Sequence, residues 1–257
     1  MKLDDRSIAL RRKIIDVMAE SRMGHIRSAF SCLEIVRVLY DHVLQPNDKF
    51  ILSKGHGCLA QYVLLAEKGY IADSDLMNFC KDGALLGGHP TAKIPGVEVA
   101  TGSLGHGLPM GVGFALAGYR TFVLMGDGEC NEGSVWEAAL CASKHKLSNL
   151  TVIVDYNEQQ SYGTTHEVCE LEPLANKWAS FGFGVGEDYA GHRIELLHAV
   201  LSKLPFLSNK PSCLVCHTTK GKGIKLTEDD LRWHYKTGIT DEEIKSLYKG
   251  LEAYGRI

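Results

Sequence analysis

Several things are missing from this sequence of 257 residues, and each absence narrows what the chain does. No stretch approaches the roughly 18 consecutive apolar residues that a membrane span needs. The opening, Met1 to Arg12, is charged and polar, unlike a signal peptide. No block of like charge marks an interaction tail, and a net charge of −3 gives no reason to expect a nucleic-acid partner. Repeats, low-complexity tracts and long linkers are absent as well. What remains is 45% hydrophobic and 23% charged, an ordinary soluble composition. The length suits one large α/β domain or two small ones, with enough chain to bury a core unaided. A cytoplasmic enzyme with no membrane or nucleic-acid partner is the expected class.

Cysteine is present but not patterned for disulfides. Eight are scattered as Cys32, Cys58, Cys80, Cys130, Cys141, Cys169, Cys213 and Cys216. Without an export signal they read as reduced thiols. Cys213 and Cys216 form a C-x-x-C, but inside the apolar run Ser212–His217, where strand alternation sends them to opposite faces. That favours a structural role over redox or metal chemistry.

Apolar runs alternate with helix-periodic segments along the chain. Thr121–Gly126, Leu150–Asp155 and Ser212–His217 are continuous β-rich runs of the kind buried on both faces of a parallel sheet. Glu132–Lys146 has Val135, Ala138, Ala139, Ala142 and Leu147 at helical spacing. Ser31 and Glu34 form a capping-box pattern ahead of Ile35, Val38 and Leu39, which predicts a helix opening there. The alternation predicts an α/β fold with a doubly wound parallel sheet and helices on both faces, residues 1–257 forming a single domain. In such sheets the site gathers outside the carboxyl ends of the strands.

Two of those ends carry metal-type ligands. The first strand ends in Gly126-Asp127-Gly128-Glu129 and the second in Asp155-Tyr156-Asn157. If the strands are neighbours, their ends lie roughly 5 Å apart, and Asp127 and Asn157 share one crevice. Oxygen ligands of this kind suit a hard divalent cation that also holds phosphate oxygens. Gly126 and Gly128 let backbone amides approach an anion, with a helix N-terminus following. Alone, Gly-Asp-Gly reads equally well as a turn and Asn157 as a strand cap.

Gly126-Asp127-Gly128 followed by Asn157 resembles the thiamine-diphosphate fingerprint, and GDGECNEGSVWEAALCASKHKLSNLTVIVDYNEQQSYG is similar to transketolase over its whole length. The resemblance implies a thiamine diphosphate-binding fold. Mg²⁺, or Ca²⁺ or Mn²⁺ in its place, would be held by Asp127, Asn157 and the main-chain carbonyl of Gln159. Gly126, Gly128 and Glu129 would lie at the cofactor.

Eleven histidines are many for this length, and several follow glycine, among them His25, His56, His89 and His106. Histidine donates to oxyanions and relays protons near neutral pH. A single loop histidine is ordinarily just solvated; four Gly-His pairs upstream of a phosphate-type loop weigh against that. The resemblance extends to them. Ser53-Lys54-Gly55-His56-Gly57 is similar to the segment whose lysine and histidine flank the cofactor. Gly88-His89-Pro90 is similar to the segment whose histidine touches the donor ketose. Thr101-Gly102-Ser103-Leu104-Gly105 matches a loop around the thiazolium and pyrimidine, which implies cofactor contacts from Gly102, Ser103 and Leu104. Ser21–Ser28 resembles the first histidine motif, giving His25 to substrate and Ser28 to cofactor. Thr219–Gly223 and Trp233-His234 resemble the last, placing Lys220 and His234 at the diphosphate, His234 also near substrate. His25, His56, His89 and His234 are the implied catalytic set.

Three residues depart from the family pattern: Arg27 where a small residue is usual, His106 in place of glutamine, and Tyr235 in place of glycine. Arg27 and His106 are candidate substrate contacts. Arg27 is equally suited to grip an acidic or phosphorylated substrate or to pair with a partner's carboxylate.

The family's activating glutamate and its aromatic pocket for the pyrimidine belong to a second domain, and its usual single chain is more than twice as long. The resemblance therefore implies a separate C-terminal partner chain carrying the pyrimidine-binding domain, in an α2β2 assembly. Glu132 and Glu137 resemble family carboxylates at the subunit interface. The implied activity is transfer of a two-carbon ketol unit from a ketose phosphate to an aldehyde. The alternatives are a 1-deoxyxylulose-phosphate synthase-like or 2-oxoacid dehydrogenase component, a non-catalytic cofactor-binding subunit, and an unrelated phosphate-binding α/β domain.

Overall fold

A computed structural model of the protein describes residues 3–255. In chain order the strands are β1 (Met23–Gly24), β2 (Lys49–Leu52), β3 (Thr121–Gly126), β4 (Leu150–Tyr156), β5 (Gly184–Asp188), β6 (Ser212–His217) and β7 (Lys236–Thr237). Between and around them run α1 (Asp5–Ser21), α2 (Ile26–Val38), α3 (Cys58–Glu67), α4 (Asp73–Met77), α5 (Gly107–Leu116) and α6 (Gly133–Lys144). Then follow α7 (Thr165–Val168), α8 (Leu174–Ser180), α9 (Ile194–Leu201), α10 (Lys225–Asp229) and α11 (Asp241–Gly255). No described helix is long and apolar enough to cross a membrane.

Five strands form one sheet in the order β2-β3-β4-β6-β5, every pairing parallel. Strand alternation divides their side chains between two cores. Phe50, Leu52, Phe122, Leu124, Ile153, Leu214 and Cys216 pack with α1, α2, α3, α9 and α11. Ile51, Val123, Met125, Val152, Val154, Cys213 and Val215 pack with α5, α6 and α8. The sheet is thus covered on both faces, which is why its strands read as unbroken apolar runs. Cys213 and Cys216 fall in different cores, as alternation requires. The remaining strands, β1 and β7, form a small antiparallel ladder with Met23 opposite Thr237 and Gly24 opposite Lys236. It brings the chain around residue 25 beside the chain around residue 235.

One boundary differs from its sequence expectation. The helix expected to open at Ser31 opens at Ile26, so the capping-box pattern lies inside α2. The reason is tertiary. Gly24, at φ +148°, turns the chain out of β1 with its missing side chain facing Leu59 and Met18. The helix starts two residues later. Ser31 and Glu34 are both fully buried and spend their side chains on distant partners, Asp155 and Arg11 respectively. The strands expected at Thr121–Gly126 and Ser212–His217 have those bounds, while β4 continues through Tyr156 and the helix expected at Glu132–Lys146 runs Gly133–Lys144.

Two glycines of α5 test how tightly this layer packs. A Cβ on Gly111 would stand 2.5 Å from a methyl of Val123, whereas one on Gly113 meets nothing within 4 Å. Gly111→Ala is expected to lower stability by about 1–3 kcal/mol through overpacking. Gly113→Ala should raise it by about 0.5–1 kcal/mol through helix propensity. Urea denaturation of the two purified variants checks the pair; equal shifts would contradict the packing described.

Candidate functional site

Four loops meet where β2, β3, β4 and β6 end. Gly126 of β3 lies opposite Asp155 of β4, so the residues just beyond them face each other. Asp127 accepts hydrogen bonds from the backbone amides of Gly128 at 2.7 Å, Asn157 at 2.8 Å and Glu158 at 2.6 Å. Despite these donors, burial pushes its carboxyl up to about 6. A carboxylate in that condition favours a nearby cation. The side-chain oxygen of Asn157 is 3.2 Å from the Gln159 amide, and the Lys220 ammonium donates to the Gln159 carbonyl at 2.5 Å. Asp127, Asn157 and Gln159 are thus brought together as oxygen donors, with the Lys220 ammonium in the place of a cation on the carbonyl. Among the described residues, no group of three or more His, Cys, Asp or Glu is placed to hold a metal. Any metal here would depend on this mixed set, which fits Mg²⁺ when phosphate oxygens complete its shell.

Beneath these loops lies a buried ion pair. Lys54, just after β2, donates to Asp155, which also accepts from Ser31 at 2.8 Å and from Thr218. Burial works against both charges, but each holds the other ionised: Lys54 lies above its usual range and Asp155 below. Lys54 lines the cavity, yet its ammonium points to Asp155 and to the Ser28 carbonyl at 3.4 Å. Glu129 is likewise committed inward. It accepts from Ser53, from the Gly105 amide at 2.8 Å and from the Gly126 amide at 3.3 Å, tying the thiazolium-type loop to the metal-type loop.

The cavity above this floor measures about 260 Å³. His25, His56, His89 and His234 line it together with Gly102, Leu104, Gly126, Gly128, Asn157 and Lys220. His25 is central, its ring centroid 5.6 Å from His56, 5.8 Å from His89 and 5.7 Å from His234. Burial depresses all four: His25 to about 4, with His89 and Lys220 adding to the effect, and His234 to about 3, with Lys220 and His25 adding. His56 is held well below its usual value and His89 is lowered. At neutral pH each ring therefore offers one N–H donor and one lone pair. Gly102 adopts φ +137°, a backbone conformation that side-chain-bearing residues rarely take, and a Cβ there would stand 3.0 Å from the His89 ring.

Several polar atoms around this space lack partners. Ser28 Oγ, Gln160 Nε2 and His234 Nδ1 are buried with no hydrogen bond among the described residues. Buried donors and acceptors are normally paired, and each orphan costs roughly 1–3 kcal/mol. Orphans at a cavity with a cation-seeking carboxylate and a buried lysine suit a polar, anionic ligand. Thiamine diphosphate with a divalent metal fits that donor set.

Not every expected residue is here. Ser103 and His106 are exposed and line a separate shallow pocket with Pro109 and Met110. Arg27 and Ser28 are fully buried and do not line the cavity, Arg27 lying behind Gln159. Glu132 and Glu137 are exposed near and on α6. Conversely, Gln160 and Ser161 line the cavity, though nothing in the sequence singles them out. Asp155 reads from sequence only as a strand end, although its place two residues before Asn157 is a usable signal. Tyr235 stacks on His25 with centroids 4.4 Å apart, carried there by the β1–β7 ladder.

The depressed His25 gives a pH dependence. It protonates near pH 4 in the fold against about 6.5 unperturbed, so between those values the unfolded chain binds more protons. Stability should hold above pH 6.5 and fall as pH drops from there toward 4. Thermal melts across that range check this, and His25→Gln should flatten the decline. An unchanged slope in the variant would show that His25 is not the group responsible.

Comparison with known proteins agrees with this geometry. The family described as "Transketolase, thiamine diphosphate binding domain" matches residues 4–254. The chain is 39% identical to one of the named subunits of the apulose-4-phosphate transketolase of Phocaeicola vulgatus, covering 88% of this chain and 85% of that one. It is 40% identical to the protein of the same name from Actinobacillus succinogenes, covering 94% and 93%. Among solved structures, transketolase from Leishmania mexicana superposes with a TM-score of 0.88 at 30% identity, over 96% of this chain but 40% of that one. With the family matched from the first helix to the last, the chain belongs to the transketolase family and corresponds to its thiamine diphosphate-binding part.

Proposed function

We propose that this chain is the cofactor-diphosphate and metal-binding subunit of a two-chain transketolase. It would transfer a two-carbon ketol unit from a ketose phosphate to an aldehyde. The observation that carries the reading is the convergence of four neutral histidines with Asp127, Asn157 and Lys220 around one cavity. Thiamine diphosphate, when bound, supplies the nucleophilic carbon that such a reaction requires. Ser28, Lys220, His56 and His234 would hold it, with Gly102 and Leu104 against its rings. Asp127, Asn157 and the Gln159 carbonyl would hold Mg²⁺.

The remaining chemistry belongs to the side chains. A sugar presents hydroxyls that both give and accept hydrogen bonds, and a neutral imidazole does both. His25, His89 and His234 would orient those hydroxyls and donate to the oxygen on which negative charge develops. A protonated imidazole would offer only donors, so the depression of these groups by burial serves the task.

Residues 3–255 carry no pyrimidine-binding domain in this reading; it would come from a C-terminal partner chain, and the naming of two relatives as single subunits of their transketolases supports this. Glu132 and Glu137, exposed and without ion pairs among the described residues, would meet that partner in an α2β2 assembly. A sugar phosphate of the kind in those names is the proposed substrate class. Co-expression with the companion chain and assay with thiamine diphosphate, Mg²⁺, a ketose phosphate and an aldehyde should give transfer from the pair only. His25→Ala or His89→Ala in that pair should reduce turnover on the order of a hundredfold. Carbon dioxide release from a 2-oxoacid donor, or activity of this chain alone, would contradict the reading.

A further inference from the structure

Arg27 lies in the first turn of α2, two residues after His25, yet its guanidinium is wholly enclosed, at 0% exposure. Two other buried cations line the cavity, and they differ in how they are matched. Lys54 contacts Asp155, and Lys220, which lines the cavity directly, donates to the Gln159 carbonyl. Among the described residues, Arg27 forms no ion pair. One nitrogen donates to the Gln159 side-chain oxygen and to the Glu228 carbonyl at 2.8 Å, both uncharged acceptors. The other two guanidinium nitrogens are buried with no hydrogen bond among the described residues. Asp230 and Asp229 favour the Arg27 charge from a distance, but neither forms an ion pair with it: Asp230 binds Arg232 at 2.8 Å and Asp229 binds Lys225 at 2.5 Å.

A buried charge without a partner is costly, and it persists where something else offsets it. The connections of Arg27 say where that offset lies. Its guanidinium grips the side chain of Gln159, whose carbonyl takes the Lys220 ammonium. Its own carbonyl accepts from the Gly221 amide at 3.0 Å, next to Lys220. Arg27 and Lys220 therefore hold one cavity-lining residue from opposite ends, Lys220 itself lining the cavity and Arg27 enclosed behind Gln159. Full enclosure also removes it from direct contact with a sugar or with a partner chain.

We propose that Arg27 is a positioning residue of the anion site: its uncompensated charge, set behind Gln159, is offset by a bound diphosphate group, whose affinity it raises. This rests on the reading of the cavity as a diphosphate site. The role is distinct from the substrate contact or partner-chain pairing that its sequence position suggested.

Inorganic pyrophosphate with Mg²⁺, titrated calorimetrically into the full chain, is the probe. Arg27→Met should weaken binding roughly tenfold, the scale of one charge acting through a partly shielded site. Its ligand-free melting temperature should stay level or rise, because the lost charge was unpaired. Arg27→Lys should keep most of the affinity and Arg27→Gln should not, a comparison that stands even if the methionine variant fails to fold. Unchanged affinity in Arg27→Gln overturns the proposal. So does parallel loss of affinity and melting temperature in all variants, which would make Arg27 a strut only. Were the wild-type chain itself to bind no pyrophosphate, the diphosphate reading would fall, and this inference with it.

Discussion

The carboxylate of Asp155 lies under the crevice at the end of β4, with no solvent to share its charge. It is stable there because Lys54 comes to it from the end of β2, Ser31 from α2 and Thr218 from the end of β6. Four separate segments are fixed to one buried group, and each of them continues directly into the site. Lys54 leads to His56, Ser31 follows Ser28 on its helix, Thr218 leads to Lys220, and Asp155 itself leads to Asn157. A pair of this kind is poor as a source of net stability, since an apolar substitute of both partners is often as good. Its consequence is geometric: removing either partner alone would leave a charge stranded, at about 3–5 kcal/mol on the general scale. The loops are therefore held in mutual register.

A second buried network supports the outer half of the same loop system. Glu34 pairs with Arg11 at 2.6 Å and accepts from His192 at 2.8 Å, both in full enclosure. Burial opposes the Glu34 charge, but Arg11 and His192 hold it well below the usual carboxylate range. Because His192 donates through Nδ1 to Glu34, its Nε2 is free to accept from the Thr219 amide at 2.8 Å. Arg11 meanwhile donates to the Lys222 carbonyl at 2.7 Å. Lys220 is thus bracketed by backbone contacts on both sides, which leaves its side chain to the cavity. The ion pairs lie below the site, and the unmatched polar atoms line it.

These two networks also explain how far the sequence could be read. The strands were legible because a parallel sheet buried on both faces needs long β-branched and aliphatic runs, and Thr121–Gly126 and Ser212–His217 are such runs. The metal-type loop was legible because its parts sit at the ends of two consecutive strands, so local pattern implied spatial proximity. The helix start at Ile26 was not legible. Ser31 and Glu34 look like a cap when read locally, but they are claimed by Asp155 and Arg11, 124 and 23 residues away. His106 shared the Gly-His pattern of the true cavity residues, yet it stands exposed before α5, where the loop through Gly105 has turned it outward. Residue type and spacing gave the candidates; only tertiary contacts separated His106 from His25.

The division between a paired floor and an unpaired lining has a physical logic. Groups that must not move, such as the ends of four strands, are best fixed by strong buried pairs whose disruption is expensive. Groups that must engage a ligand cannot have their bonding capacity already filled. Ser28, Gln160 and His234 keep unpaired atoms at or beside the cavity, and Asp127 retains a raised proton affinity there. Each of these is a local defect by the standard of a protein interior. A defect of this sort is tolerable because the floor beneath it is over-determined, and under the proposed reading a bound ligand would recover the lost bonds. The neutral state of the histidines follows from the same burial, so one cause, withdrawal from water, both raises the demand for a ligand and sets the hydrogen-bonding character suited to it.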